Sequence, residues 1–199
     1  MQNFLRETDL IDFSDAKIQK LALELAEDRI TDKAIAKSCF LYVRDQINHS
    51  GDVVDDTKTT YRASDVLKHK TGWCYAKSIL LAALLRVNNI PTGFSYQRLS
   101  CSEYVEDVYC LHGLNVVYLK KYGWYRVDAR GNKKGVNAQF NPPHEELAFE
   151  LQEHEFDLKG ILEDPLPEVV KALQTFTSYS EIIHNFPDVN SNSKREVKN

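Results

Sequence analysis

Three residues spread along the middle of the chain, Cys74, His112 and Asp128, carry side chains that together suit nucleophilic chemistry. A thiolate attacks a carbonyl carbon, an imidazole moves the proton, and a carboxylate on the far ring nitrogen orients that base. Cys74 stands at the mouth of an apolar run, Ala76 to Val87, in which almost every residue favours helix, and Gly72 supplies a permissive turn ahead of it. A thiol in a first helical turn sits in the positive field of unpaired backbone N–H groups, which stabilises thiolate over thiol. Taken singly, each residue has an equally good plain explanation. Cys74 reads as a small buried hydrophobe, His112 as a strand imidazole satisfied by a carbonyl, and Asp128 as a turn former before Ala129-Arg130-Gly131-Asn132. The three in this order point to chemistry.

The elements that must position them follow from the pattern. Apolar residues fill nearly every place from Ile79 to Leu85, so the helix behind Cys74 is expected to be buried all round, and Asn88-Asn89-Ile90-Pro91 to stop it. Ahead of it we expect an extended arm over 1–13, a helix capped by Ser14 or Asp15 and running to Ala26, and a helix over 31–48. His49 then reads as a surface residue without chemistry, residues 50–60 as an exposed loop, and Val66 to His69 as a helical turn capped by Ser64-Asp65. His69, five residues before Cys74, is a weaker rival base, since it sits between two lysines on what reads as a solvated face.

Beyond the central helix the period changes to that of strands: Pro91–Leu99, Leu111–Leu119 and Gly123–Asp128, the last two joined as a hairpin through Lys120-Lys121-Tyr122-Gly123. An even register puts His112 and Asp128 on one face, and direct opposition brings their Cα atoms within about 5.5 Å. The loop does not fix that register, and a bulge at Gly123 shifts it. Residues 100–109 read as a polar loop, 137–143 as a crossing loop and 144–159 as a solvated acidic face. Two helices, from Glu168 to Thr177 and from Tyr179 to Asn185, close a single domain of 1–187, and a polar tail over 188–199 is expected to be disordered.

The chain has 199 residues and a net charge of −4 from 25 basic and 29 acidic side chains. No basic tract interleaved with aromatics suggests nucleic acid as a partner. No apolar run approaches the roughly 18 residues that cross a bilayer. The first residues lack a signal-peptide pattern, so a cytoplasmic protein is expected. Cys39, Cys74, Cys101 and Cys110 are too few and too irregular for a disulfide scaffold and are expected as free thiols. Cys101, Cys110 and His112 lack a C-x-x-C pair, and His144 and His154 lack a ligand spacing, so neither a metal nor another cofactor is expected.

Ala63-Ser64-Asp65-Val66-Leu67, Gly72-Trp73-Cys74, Leu84-Leu85-Arg86 and Ile90-Pro91 together resemble the core of the transglutaminase-like superfamily. The segments from His112 to Tyr118 and from Gly123 to Asp128 are similar to its histidine and aspartate segments. The resemblance extends over about residues 4–190 and is nearest to small bacterial members, with Tyr42-Val43-Arg44-Asp45 and a Pro-Leu-Pro helix near the end. It implies an α+β, papain-like fold, with the cysteine helix packed on an antiparallel sheet and extra helices at both termini. It implies Cys74 as nucleophile, His112 as general base and acid, and Asp128 as its orienting partner. Leu114 and Val116 stand where the superfamily often has Trp and Glu, and Ala129-Arg130 where it often has Pro, so substrate contacts there are expected to differ.

The implied reaction is acyl transfer on an amide of a peptide or protein through a thioester on Cys74, ending in hydrolysis or in transamidation. The Cys74 N–H is one expected oxyanion donor, with Trp73, Tyr61 and Gln97 as candidates for the second. Two other readings stay open: a non-catalytic module that uses the cleft to hold a peptide, and a redox-sensing thiol.

Overall fold

The computed structural model describes residues 1–53, 58–101 and 108–189. The chain starts with a 3-10 turn at Gln2–Leu5 instead of a fully extended arm. Helix α1, Ala16–Ala26, begins where the Asp15 carboxylate accepts the N–H groups of Lys17 and Ile18. Helix α2, Asp32–Gln46, starts in the same way on the Thr31 hydroxyl. A two-residue strand, β1 at Asn48–His49, follows, and then a 3-10 turn at Ser50–Asp52. Helix α3 is Ala63–His69, a full turn longer than expected, and it starts after Arg62. Ser64 lies inside it and is tied by its N–H and hydroxyl to the Asp12 carboxylate.

Strand β2, Thr71–Gly72, pairs in parallel with β1 and leads straight into α4, Cys74–Val87. Every residue of α4 from Cys74 to Arg86 is buried, as its unbroken apolar run demands. Lys77 and Arg86 are inside because backbone carbonyls satisfy them. Lys77 Nζ donates to Ile47 O and Arg44 O, and Arg86 donates to the carbonyls of Arg6, Thr92 and Glu163. The helix ends at Asn88, whose side-chain amide donates to Leu84 O and Ala22 O.

Strands β3 (Thr92–Ser100), β4 (Tyr109–Leu119) and β5 (Gly123–Val127) form an antiparallel sheet. It is completed by β8 (Phe156–Asp157), after a small hairpin of β6 (Gln139–Asn141) and β7 (His144–Glu146). The order in the larger sheet is β5-β4-β3-β8. Both faces of β3 are covered from Thr92 to Gln97, and Leu158 and Leu162 hydrogen-bond along its edge. Helices α5 (Pro167–Thr175) and α6 (Tyr179–Ile183) follow. Helix α4 packs against α1, α2, α3, β3 and β4, so the fold is α+β with the cysteine helix on an antiparallel sheet.

Several expectations need correction. His49 is buried, because β1 pairs with β2 and carries it inward. Thr59 and Thr60 are also buried, with the Thr60 hydroxyl on Thr71 O, so the described part of 50–60 is not an exposed loop; residues 54–57 lie outside the described residues. Cys101 and Cys110 form a disulfide, their Cα atoms 5.9 Å apart, because β3 and β4 leave the sheet side by side there; most of the polar loop expected between them lies outside the described residues. Of the polar tail expected over 188–199, the structure describes Asp188 and Val189. Asp188 takes both guanidinium nitrogens of Arg98 and Val189 is buried, while 190–199 lie outside the described residues. The expected crossing loop and acidic face contain β6, β7 and β8, with Glu145 bonded to Arg126. No described helix is long and apolar enough to cross a membrane.

Candidate active site

Cys74 is the first residue of α4, and Trp73 makes no side-chain cap bond at that end, so the thiol sits at the positive end of the helix dipole. The helix is fastened to β4 on both sides of His112. Tyr75 OH donates to Leu111 O, Ser78 Oγ donates to Gly113 O at 3.3 Å, and Asn115 Nδ2 donates to Ser78 O at 3.0 Å. This close approach needs glycine at 113, since a Cβ there would lie 3.0 Å from Tyr75 Cδ1 and 3.3 Å from Tyr75 Cα. It lets the Gly113 N–H donate to Cys74 Sγ at 3.4 Å.

The Cys74 thiol lies near enough to His112 to act on its charge, and His112 Nε2 lies 2.7 Å from Asp128 Oδ2. The Asp128 carboxylate is fully buried and also accepts the N–H groups of Arg130 and Ala148, each at 3.1 Å. Burial opposes its ionisation, but His112 and these N–H donors hold its pKa below the ordinary carboxylate value. Burial likewise opposes the imidazolium of His112, but the Asp128 carboxylate and then Cys74 outweigh it and push its pKa up to about 10. Phe149 packs edge-on to the His112 ring at 5.1 Å.

Cys74 and His112 open into a cavity of about 540 Å³ whose wall includes His49, Trp73, Arg130 and Phe149. The disulfide-bonded Cys101 and Cys110 lie in the same wall. Trp73 is stacked on Tyr179 at 5.7 Å and meets Phe186 edge-on at 5.1 Å. Pro187 O next accepts the Leu111 N–H, so the C-terminal segment forms part of the cleft wall. Of the candidate oxyanion donors, Trp73 lines the cavity while Tyr61 and Gln97 do not. Gln97 is opposite His112 in the β3–β4 register, but its side-chain amide donates to Asp157 Oδ1. His69 is exposed at the end of α3. His144 and His154 are exposed, and among the described residues no three or more His, Cys, Asp and Glu gather as metal ligands would.

The sequence reading missed three residues of this region. His49 lines the cavity, with its ring edge-on to Trp73 at 5.3 Å. Burial, and then the positive charges of Arg130, Lys77, His112 and Lys133, hold its pKa well below the usual histidine value. Lys77, one turn behind Cys74, is pushed down to about 7 by burial and by Arg130. Arg130 clamps Asp52 with both terminal nitrogens, at 2.7 and 3.0 Å. The available signal was a lone lysine inside an apolar helix, which must find carbonyls nearby.

The sequence model of the transglutaminase-like superfamily matches residues 19–129. The chain belongs to that superfamily. Among solved structures it is similar to a candidate cysteine protease from Cytophaga hutchinsonii, at 18% identity and a TM-score of 0.51, over 64% of this chain and 40% of that one. The periplasmic domain of TgpA from Pseudomonas aeruginosa matches at 17% identity and a TM-score of 0.46, over 63% of this chain and 45% of that one. Red sea bream transglutaminase matches at 13% identity and a TM-score of 0.40, over 64% of this chain and 27% of that one. The chain thus spans less than half the length of these structures. No curated protein sequence matches it.

Proposed function

We propose that the protein is a cysteine-dependent acyltransferase or hydrolase acting on amide bonds of a peptide or protein. One observation carries this reading: the Cys74 thiol at a helix mouth shares one cavity with His112, whose Nε2 rests on buried Asp128, and the next N–H of that strand, Gly113, donates to the sulfur. The Cys74 thiolate attacks the amide carbon, and His112 gives its proton to the departing amine, leaving a thioester on Cys74. Water or a second amine, deprotonated by His112, then resolves that thioester.

Dimethylated casein in ¹⁸O water with a dansylated alkylamine separates the outcomes. New ¹⁸O-labelled carboxyl groups report hydrolysis, and dansyl incorporation reports transamidation. Both are expected to vanish in Cys74→Ala. Casein retained on the protein with neither product overturns the enzyme reading in favour of a binding module.

A further inference from the structure

We propose that the Nε2–H of His49 is the second hydrogen-bond donor to the oxyanion formed when the Cys74 thiolate attacks a carbonyl. The inference rests on the acyl-transfer reading and adds to it the group that polarises the carbonyl.

The placement comes from the β1–β2 pairing. His49 is the register partner of Gly72, on the chain entering α4 two residues before Cys74. Neighbouring strands lie about 4.8 Å apart, so this backbone sets His49 beside the approach to the thiol. The ring is fixed by its edge-on contact with Trp73, and the residue lines the cavity that holds Cys74 and His112. Lys77 anchors the segment from behind through its bond to Ile47 O, immediately before β1.

The hydrogen bonding then sets the tautomer. His49 Nδ1 accepts the Gly51 N–H at 3.2 Å, so that nitrogen carries no proton. A neutral imidazole with a filled Nδ1 lone pair has its proton on Nε2. Burial and the surrounding positive charges keep the ring neutral. Nothing else among the described residues hydrogen-bonds the ring, so Nε2–H is the polar edge left for a ligand. A neutral imidazole donates to developing negative charge without giving up its proton. Gln97, by contrast, has its amide committed to Asp157 and lies off the cavity, as does Tyr61.

The step balances without further reactants. The thiolate pair forms the S–C bond while the carbonyl π pair moves onto oxygen, where the N–H of Cys74 and the Nε2–H of His49 meet it. Collapse re-forms C=O and breaks the bond to the leaving amine, which takes the proton of the His112 imidazolium.

The test compares two reactions of Cys74 in the full chain. Alkylation by iodoacetamide is a displacement at a saturated carbon and forms no oxyanion, whereas acylation by p-nitrophenyl acetate passes through one. His49→Phe keeps a ring against Trp73 and is expected to leave alkylation within about twofold while slowing acylation roughly 100-fold. His49→Gln, which restores an N–H donor, is expected to recover part of the rate. Equal acylation by His49→Phe and wild type overturns the role of His49 alone. A parallel fall in both reactions also overturns it, because the side chain then only positions the thiol. Wild-type protein that alkylates but never acylates overturns the acyl-transfer reading as well. If His49→Phe fails to fold, the ¹⁵N spectrum of wild-type imidazoles decides: a neutral Nε2–H tautomer for His49 is expected, and an Nδ1–H tautomer or an imidazolium at neutral pH overturns the proposal.

Discussion

His112 Nε2 meets Asp128 Oδ2 at 2.7 Å although the two residues are not opposite each other in the sheet. The β4–β5 register pairs Asn115 with Val127 and Leu119 with Gly123, so Asp128 stands just beyond the end of β5, nearest to Leu114. The even register keeps both side chains on one face, and the diagonal offset is short enough for the carboxylate to reach the ring. Removing the charge while keeping the shape isolates its effect. Asp128→Asn is expected to slow acyl transfer on the order of 10²–10⁴-fold. It is also expected to bring the His112 pKa from about 10 back toward its ordinary value, read by NMR titration. An unchanged His112 titration would refute the assignment of Asp128 as its partner.

Stability should show two opposing pH slopes. The folded His112 titrates at about 10, above the roughly 6.5 of an unfolded histidine. Its contribution is therefore complete below the unfolded value and is lost as pH rises through the folded one. Lys77 titrates at about 7 in the fold, below the roughly 10.4 of an unfolded lysine. Across that window the unfolded chain binds more protons, so this group makes stability rise with pH. The two partly cancel between about pH 7 and 10. Lys77→Met is expected to unmask the His112 slope, giving a urea midpoint that falls more steeply with pH than in the wild type. A variant with the wild-type slope would show that Lys77 does not titrate there.

Only one cysteine should react in the native, unreduced protein. Burial pushes the Cys39 thiol up to about 12 and removes it from contact with solvent. Cys101 and Cys110 are joined to each other. Iodoacetamide is therefore expected to add a single group, mapped by peptide mass analysis to Cys74, with the Cys101–Cys110 cross-link intact. Labelling of Cys101 or Cys110 without reductant would contradict the pairing.

Gly113→Ala tests the closeness of helix and strand. The added methyl meets Tyr75 at 3.0–3.3 Å, including backbone that cannot swing aside. Moving β4 back lengthens the bond from Gly113 N–H to Cys74 Sγ and draws His112, the neighbouring residue of that strand, away from the thiol. Acyl transfer is expected to drop at least tenfold, since small displacements at a reacting centre are costly. The melting temperature should fall only by the few degrees that about 1 kcal/mol removes from a protein of this size. Full activity in the variant would show that the helix–strand spacing has slack.

Much of this fold can be read from local chemistry. The Asp15 and Thr31 caps, the apolar run behind Cys74 and the Gly123 hairpin with its φ of +75° are each written in a few adjacent residues. What stayed hidden depends on partners remote in sequence. A two-residue parallel bridge such as β1–β2 leaves no periodicity, so His49 looked like the polar end of a helix when its environment is set by Gly72 and Trp73. Cys101 and Cys110 are brought together by the β3–β4 register, in which Leu99 pairs with Cys110, and their spacing alone carries no such information. The placement of Cys74 beside His112 lies between these cases: the residue types suggest it, whereas the need for glycine at 113 depends on Tyr75, far away in sequence.

Trp73 packs against Tyr179 and Phe186 as well as His49, and β4 takes the Pro187 carbonyl beside them. On the ribosome, the segment bearing the thiol emerges long before Tyr179 and Phe186 are made. A nascent chain arrested ahead of Phe186 would hold Cys74, His112 and Asp128 yet lack the wall that packs behind Trp73. Translation itself therefore delays completion of the cleft until the segment around Phe186 is free to dock.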